Sequence, residues 1–107
     1  MKSELKKNEK LIRSSGGGPI KFITGAKGGK LYLTTHRIFH EPLFGKKITF
    51  SYNLDEIVDV QESSYSMLIM ILPIFICIKI FFKNGSHVKL NVSDRWGWID
   101  AIEEAKK

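Results

Sequence analysis

The stretch from Met67 to Phe82 is the feature that most limits how this chain can fold. Its sixteen residues, MLIMILPIFICIKIFF, are apolar except for Lys79, and Pro73 interrupts them. A helix that spans a membrane needs about 20 apolar residues, so this stretch is too short and too interrupted to be one. From Ile74 onward isoleucine and phenylalanine dominate, which favours a buried β-strand.

The composition of the 107-residue chain is that of one globular domain, with 43% hydrophobic and 26% charged residues. We predict a single domain over residues 1–107, in which residues 1–8 form a charged, frayed lead-in without a signal peptide. The only cysteine, Cys77, cannot form an internal disulfide. A reducing, cytoplasmic location is therefore expected.

Short runs of alternating or β-branched residues predict seven strands. These are Glu9–Ser15, Ile20–Ala26, Lys30–Glu41, Lys46–Asn53, Ile57–Ser63, Ile74–Phe82 and Ser86–Val92. Turn-forming residues separate several of them, and the triple glycine 16–18 is expected to end the first strand. With one C-terminal helix, the pattern predicts a mainly β fold: a seven-stranded bent sheet or open barrel capped by that helix.

The turn at residues 83–85, Lys-Asn-Gly, can be assigned from the side chains that it brings together. A two-residue turn would set Ile80 opposite Lys89. A three-residue loop with glycine in the left-handed conformation instead makes three apolar pairs: Ile80 with Val88, Ile78 with Leu90, and Ile76 with Val92. We therefore predict the three-residue loop.

The last strand is followed by a predicted helix, for which Ser93 or Asp94 would be a good N-cap. Trp98, Ile102 and Ala105 share one face of that helix, with Ile99 beside them. Trp96 falls outside this stripe and would cover the end of the barrel or anchor the domain at an interface.

Five motifs in order resemble the GRAM domain family, whose fold is pleckstrin-homology-like (PH-like). The strongest is GKLYLTTHR, which is similar to the family's Gly-x-Leu-Tyr-Leu-Thr-x-x-Arg and contains Gly29, Leu31, Tyr32, Leu33, Thr34 and Arg37. The others are EKLIRS, Leu54-Asp55-Glu56-Ile57, Asn84-Gly85, and Trp98 with Ile102. The resemblance covers about residues 9 to 105. It implies a seven-stranded bent sheet closed by the helix, and a structural role for Arg37.

The resemblance further implies a binding module without catalysis, often associated with membranes or phosphoinositides. Phe22-Ile23 stand where many phosphoinositide-binding PH domains carry a pair of cations, which disfavours tight, specific recognition. The net charge of +6 still favours anionic partners. The candidate lipid-headgroup residues are Lys27, Lys30, Lys46 and Lys47. The alternative for these lysines is an ordinary solvated surface.

The segment Met67–Leu72 is unusually apolar for a connection between strands. It would dip into a bilayer, form a groove for a partner, or be buried in the domain or in a dimer contact. The candidate contact residues are Met67, Leu68, Met70 and Trp96. The sequence thus leaves two hypotheses: a cytoplasmic module that attaches peripherally to anionic membranes, and a domain for protein interaction or self-association.

Catalysis, a cofactor and a metal site are not expected. His36 and His40 would lie about 13 Å apart on one strand, too far to bind the same ion. No serine or cysteine occurs in a nucleophile motif, and the glycine run SSGGGP lacks the Gly-Lys-Ser/Thr of a phosphate-binding loop. Nucleic acid is the least favoured partner, because alternation directs most aromatic residues inward.

Overall fold

A computed structural model of the protein describes residues 4–21, 25–26, 29–42, 48, 50–65, 75–92 and 94–107. The strands are β1 (Leu11–Lys21), β2 (Gly25–Ala26), β3 (Gly29–Thr34), β4 (Arg37–Pro42), β5 (Phe50–Asn53), β6 (Ile57–Tyr65), β7 (Phe75–Phe82) and β8 (His87–Val92). A 3-10 turn (Leu54–Glu56) precedes β6, and the helix α1 spans Arg95–Ala105. Seven strands pair in the order β5-β4-β3-β1-β8-β7-β6, and the short β2 pairs with β1. The predicted fold class is confirmed.

Strand β1 runs through the triple glycine, so the predicted end of the first strand is wrong. Its first half pairs with β3, as far as Gly16 opposite Lys30. From Gly17, which lies opposite Val92, it pairs with β8 instead. Gly17 has a φ of 146°, and a Cβ atom there would clash with the carbonyl oxygen of Asn91. The glycines therefore allow one strand to bend from one half of the sheet to the other.

The predicted strand Lys30–Glu41 is a hairpin, formed by β3 and β4 and turning at Thr35 and His36. The Thr34 hydroxyl accepts hydrogen bonds from the backbone N–H groups of His36 and Arg37, both at 3.1 Å. A threonine turn of this kind needs no glycine or proline, so the usual signals of a turn are missing from the sequence.

The turn between β7 and β8 is the predicted three-residue loop. Gly85 has a φ of 88°, and its N–H donates to the carbonyl of Phe82 at 3.0 Å. The ladder confirms the pairs Ile80–Val88 and Ile78–Leu90. The third predicted pair, Ile76 with Val92, lies beyond the ladder described for these two strands.

The core contains apolar residues from both halves of the sheet and from one face of α1. The Trp98 side chain is fully buried there, and its indole N–H donates to the Ser15 hydroxyl at 2.9 Å. Ile99 and Ile102 are buried beside it, which confirms the predicted stripe. Asp94 is the N-cap of α1, since its carboxylate accepts from the Gly97 N–H at 3.2 Å.

Two substitutions of Asp94 distinguish the contribution of the helix cap to stability from that of its ion pair with Arg13. Asp94 also pairs with Arg13 at 2.6 Å, but it is largely exposed. Asp94→Ala removes both interactions and is expected to lower the free energy of unfolding by about 1 kcal/mol. Asp94→Asn keeps a capping oxygen and is expected to cost only a few tenths of a kcal/mol, because exposed ion pairs contribute little. Chemical denaturation of both variants measures the difference, and equal losses would show that the cap is unimportant.

Candidate functional site

Two of the eight residues predicted to contact lipid or a partner, Lys30 and Trp96, lie in the part of the chain that the structure describes. The other six fall outside the described residues: Lys27, Lys46, Lys47, Met67, Leu68 and Met70. The strand ends next to these residues in sequence are described.

Lys30 is exposed on β3, opposite Gly16 of β1. Its neighbour Gly29 pairs with Pro42 at the end of β4. Gly29 and Pro42, which are next in sequence to residues 27–28 and 43–47, are therefore adjacent in the sheet. Those two segments contain the other candidate lipid-headgroup residues, Lys27, Lys46 and Lys47. We call these three lysines and Lys30 the basic rim.

The hairpin of β6 and β7 ends at the described pair Tyr65 and Phe75. Residues 66–74 connect these two strands, so the apolar segment Met67–Leu72 belongs to the connection. Tyr65 and Phe75 thus mark the end of the hairpin at which that segment begins and returns.

The start of α1 lies at the same end of this hairpin. Arg95 pairs with Glu62 at 3.1 Å, and Glu62 is three residues, or about 10 Å of strand, from Tyr65. Trp96 is 56% exposed, and the Arg95 guanidinium lies 5.9 Å from the centroid of its ring. We call the set of Arg95, Trp96 and the Tyr65–Phe75 pair the hairpin corner.

A buried cluster that the sequence did not reveal joins the lead-in to the β3–β4 turn. Glu9 is fully buried at its side chain and accepts from Arg37 Nε at 2.9 Å and from the Thr34 hydroxyl at 2.5 Å. Burial acts to raise the pKa of Glu9, but hydrogen bonds from Arg37, Thr34 and the Lys6 N–H, with the Arg37 charge, outweigh it and lower that pKa to about 2. We call Glu9, Thr34 and Arg37 the Glu9 cluster.

For residues 4–8, the Glu9 cluster corrects the expectation of a frayed lead-in; residues 1–3 lie outside the described residues. The Lys6 N–H donates to Glu9 at 2.8 Å, and the Glu9 N–H donates to the Lys6 carbonyl at 3.0 Å. Arg37 also donates to the carbonyl of Glu4 at 3.3 Å. Residues 4–9 are therefore attached to the sheet by hydrogen bonds. A single glutamate ahead of an alternating strand carries no sequence signal for such burial.

The histidines and the cysteine occupy separate environments. His40 is fully buried, stacks on Phe50, and its Nε2 lies 3.1 Å from the Gly17 carbonyl, whereas His36 is exposed. Burial raises the pKa of the Cys77 thiol, which disfavours the reactive thiolate. Within the described ranges, no group of three or more His, Cys, Asp or Glu side chains could hold a metal ion.

An open cavity of about 380 Å³ lies between the lead-in, the β3–β4 turn and the end of α1. Lys6, Lys106 and Asp55 line it, so its charges are mixed. It is at the Thr35 end of the β3–β4 hairpin, whereas Lys30 is near the other end. The cavity therefore does not belong to the predicted basic rim.

No family model and no curated protein matches this chain. Among the described residues, no helix is long and apolar enough to cross a membrane.

Solved structures do match. The N-terminal PH domain of Vps36 has a TM-score of 0.73 at 22% identity, over 96% of this chain and 83% of that one. The C-terminal domain of an unknown protein from Leishmania infantum has a TM-score of 0.70 at 21% identity, over 94% and 86%. The hSac2 domain of the human phosphoinositide phosphatase Sac2 has a TM-score of 0.70 at 13% identity, over 95% and 73%. Similarity at these identities establishes the fold: the chain has a PH-like fold.

Proposed function

We propose that this protein is a non-catalytic binding module that attaches peripherally to membranes with anionic lipid headgroups. The observation that carries the proposal is the exposed Trp96 beside Arg95 at the hairpin corner, where the apolar connection 66–74 begins and returns. Tryptophan favours the interface between headgroups and acyl chains, and each cation near an anionic surface contributes about 1 kcal/mol. One corner thus combines an interfacial anchor, a cation and an apolar segment.

The bend of β1 brings Lys30 towards this corner. Lys30 lies opposite Gly16, and the next residue, Gly17, pairs with Val92. Val92 precedes the first residue of α1 by only three positions. Lys30 and the start of α1 therefore border the same bend, so that a single flat membrane could contact both.

We further infer that the chain belongs to the GRAM branch of the PH-like fold. The residues of its GKLYLTTHR motif have distinct structural roles that support this assignment. Leu31 and Leu33 are fully buried in the core, and Thr34 and Arg37 belong to the Glu9 cluster. Among the similar structures, one domain comes from a phosphoinositide phosphatase, which is compatible with a role at membranes.

The membrane proposal is tested by Trp96→Ser and Lys30→Glu. Either variant is expected to reduce co-sedimentation with vesicles that contain phosphatidylserine at least threefold, because each removes an interaction worth about 1 kcal/mol or more. Binding of the unchanged protein is expected to be weak on phosphatidylcholine vesicles and to fall steeply between 50 and 500 mM salt (chosen to span roughly 14 to 4 Å of Debye length).

Lys83→Glu is the matched control, because Lys83 is exposed in the β7–β8 turn, at the opposite end of β7 from the hairpin corner. It changes the net charge by the same amount as Lys30→Glu. If the two charge variants lose binding equally, attraction depends on overall charge and the assigned surface is wrong. If the unchanged protein sediments with no vesicle, the membrane proposal itself fails.

The second candidate function, protein interaction or self-association, is favoured by the same exposed Trp96. An apolar protein contact should persist at high salt, whereas attachment through charge should not. Size-exclusion chromatography of the lipid-free protein, with Met67→Ser and Leu68→Ser together, distinguishes the two. A dimer that survives high salt and dissociates in this double variant would support association through the apolar segment.

A further inference from the structure

The charges of this protein are divided between two parts of the fold. Residues 55–62 and 94–107 contain eight of the eleven acidic residues but three of the seventeen basic ones. They carry a formal charge of −5, while the rest of the chain carries +11. Both segments belong to elements that pack against each other, namely the 3-10 turn with β6, and α1. The basic protein therefore has one acidic side.

The basic residues on this side already interact with neighbouring groups. Arg95 pairs with Glu62, Lys107 pairs with Glu104 at 3.3 Å, and Lys106 Nζ donates to the Val58 carbonyl at 3.0 Å. In contrast, the acidic residues Asp55, Glu56 and Asp100 are exposed, and none of them has an ion pair among the described residues. Asp55 lines the mixed-charge cavity with Lys6 and Lys106, so Glu56 and Asp100 are the carboxylates most available to a cationic partner.

Strand β6 is the terminal strand of the sheet, and in the described ranges no strand pairs with its other edge. Phe82 directs its backbone N–H towards β8, where it donates to Ser86 at 2.9 Å, and Lys83 directs its own N–H to Glu56 at 2.9 Å. Because these directions alternate along a strand, the backbone groups of Val60 and Glu62 point away from β7.

Side chains of this protein now cover part of that edge. The Val60 N–H donates to the carboxylate of Asp59 at 2.9 Å, and the Val58 carbonyl accepts from the ammonium of Lys106. A carboxylate and a lysine are thus bound where a neighbouring strand would place its own carbonyl and N–H groups. Charged side chains of this kind protect an edge from indiscriminate pairing and can be displaced by a partner with stronger interactions.

We propose that the free edge of β6 binds an extended, Lys- and Arg-rich segment of a partner protein. The segment forms backbone hydrogen bonds with Val60 and Glu62. Its cations lie beside Glu56 and replace Lys106 at Glu103, which pairs with Lys106 at 3.9 Å in the free protein, on the flank of α1 that contacts β6. Strand addition supplies affinity, and complementary charge supplies selectivity. The carboxylates proposed to bind the cations, Glu56 and Glu103, lie away from the hairpin corner, whereas Glu62 borders it through its ion pair with Arg95. The two sites therefore adjoin at Glu62 and use different charged side chains.

An NMR titration of the full chain with an octapeptide of alternating lysine and valine tests the proposal. The largest amide shifts are expected at residues 58–62 and 102–107. A peptide with the same sequence but alternate N-methylated amides cannot pair as a strand, and it is expected to bind at least tenfold more weakly. Equal binding of the two peptides, or shifts centred on other residues, would overturn the proposal.

Two charge-matched double variants test the contribution of the acidic residues. Glu56→Gln with Glu103→Gln is expected to weaken peptide binding about threefold to tenfold, as the loss of two exposed charge contacts would. Glu4→Gln with Glu104→Gln removes the same charge at exposed positions. Glu104 also belongs to α1 but points about 100° around the helix from Glu103, so this double variant is expected to change binding by less than about twofold. Equal weakening in both would mean unspecific attraction and would contradict the assigned site.

Neither double variant alters Trp96 or Lys30, so vesicle binding should be retained if the membrane proposal is correct. Loss of peptide binding with intact vesicle binding therefore separates the two proposals. Analytical ultracentrifugation of the free protein provides the last test. A dimer that protects the Val60 amide from hydrogen exchange would assign the edge to a second copy of this chain and overturn the partner proposed above.

Discussion

Replacing Glu9 with glutamine is expected to lower the free energy of unfolding by about 3 kcal/mol at neutral pH. The variant would leave the Arg37 guanidinium, which is 11% exposed at its side chain, without its buried counter-charge. For a domain of this length, such a loss corresponds to a fall in Tm of roughly 12–20 °C. Thermal and urea denaturation of the purified variant measure it.

The effect should depend on pH in a direction fixed by the pKa of Glu9. This pKa is lowered from 4.5 to about 2 in the folded protein, so the stabilisation is fully present above pH 4.5 and is lost as the pH falls towards 2. The stability difference between Glu9→Gln and the unchanged protein should therefore shrink over that range. A difference that stays constant down to pH 2 would contradict the assigned role of the carboxylate charge.

Two further variants serve as controls for the Glu9 prediction. Glu4→Gln removes a nearby exposed charge and should change stability by less than about 0.5 kcal/mol. Glu9→Leu combined with Arg37→Met removes both charges and should recover much of the loss, because a buried ion pair can be replaced by apolar residues at little cost. If the double variant is as unstable as Glu9→Gln, the cost does not come from an uncompensated Arg37.

Gly17→Ala is expected to destabilise the protein by at least about 3 kcal/mol or to prevent its folding. The backbone there has a φ of 146°, which L-residues with side chains rarely adopt, and the new Cβ atom would clash with the Asn91 carbonyl oxygen. The clash involves backbone of the paired strand β8, so rotation of a side chain cannot relieve it.

The neighbouring Gly16 provides a matched control for Gly17→Ala. A Cβ atom at Gly16 would meet only the Gly29 carbonyl oxygen, at 4.0 Å, and the φ of Gly16 is not positive. Gly16→Ala should therefore change the free energy of unfolding by less than about 1 kcal/mol. Expression yield, circular dichroism and urea denaturation compare the two variants. Similar behaviour would show that the bend of β1 does not depend on Gly17.

Turn, capping and periodicity patterns predict the structure correctly where the interacting residues are close together in sequence. The loop of residues 83–85 follows from the alternation of Ile78 and Ile80 against Val88 and Leu90, and the structure confirms it. The cap at Asp94 and the buried stripe of α1 are likewise short-range features. Each depends on side chains only a few residues from the position that was predicted.

The errors occur where distant residues determine the local structure. The triple glycine has the composition of a turn, but Gly17 remains in a strand because β8 supplies its partner from 75 positions away. Thr34 makes a turn without glycine, and its hydroxyl also binds Glu9, 25 positions earlier. The seven strands of the continuous path match the predicted number only because two errors cancel. The prediction ends the first strand at the triple glycine, where β1 continues, and treats the β3–β4 hairpin as one strand.

The choice of basic residues as candidate contacts depends on their charge alone, which does not locate them on the surface of the fold. Net charge does not show which side of the fold a residue occupies, so the acidic side formed by β6 and α1 was not recognised. The strand order and the packing of α1 on β6 define that side. Trp96 is singled out by a local property, its position outside the helical stripe, and its side chain is exposed in the structure. Its role as a contact residue stays a prediction.

Because β1 pairs first with β3 and then with β8, its two halves become able to pair at different times during synthesis on the ribosome. Its first half can pair once residues 30–34 have emerged, but Gly17–Pro19 must wait for residues 90–92 near the end of the chain. The strand that begins the fold is thus among the last to be completed. We expect the sheet to close only once residues 90–92 are available, on the millisecond-to-second timescale of proteins dominated by long-range contacts, with the second half of β1 unpaired until then.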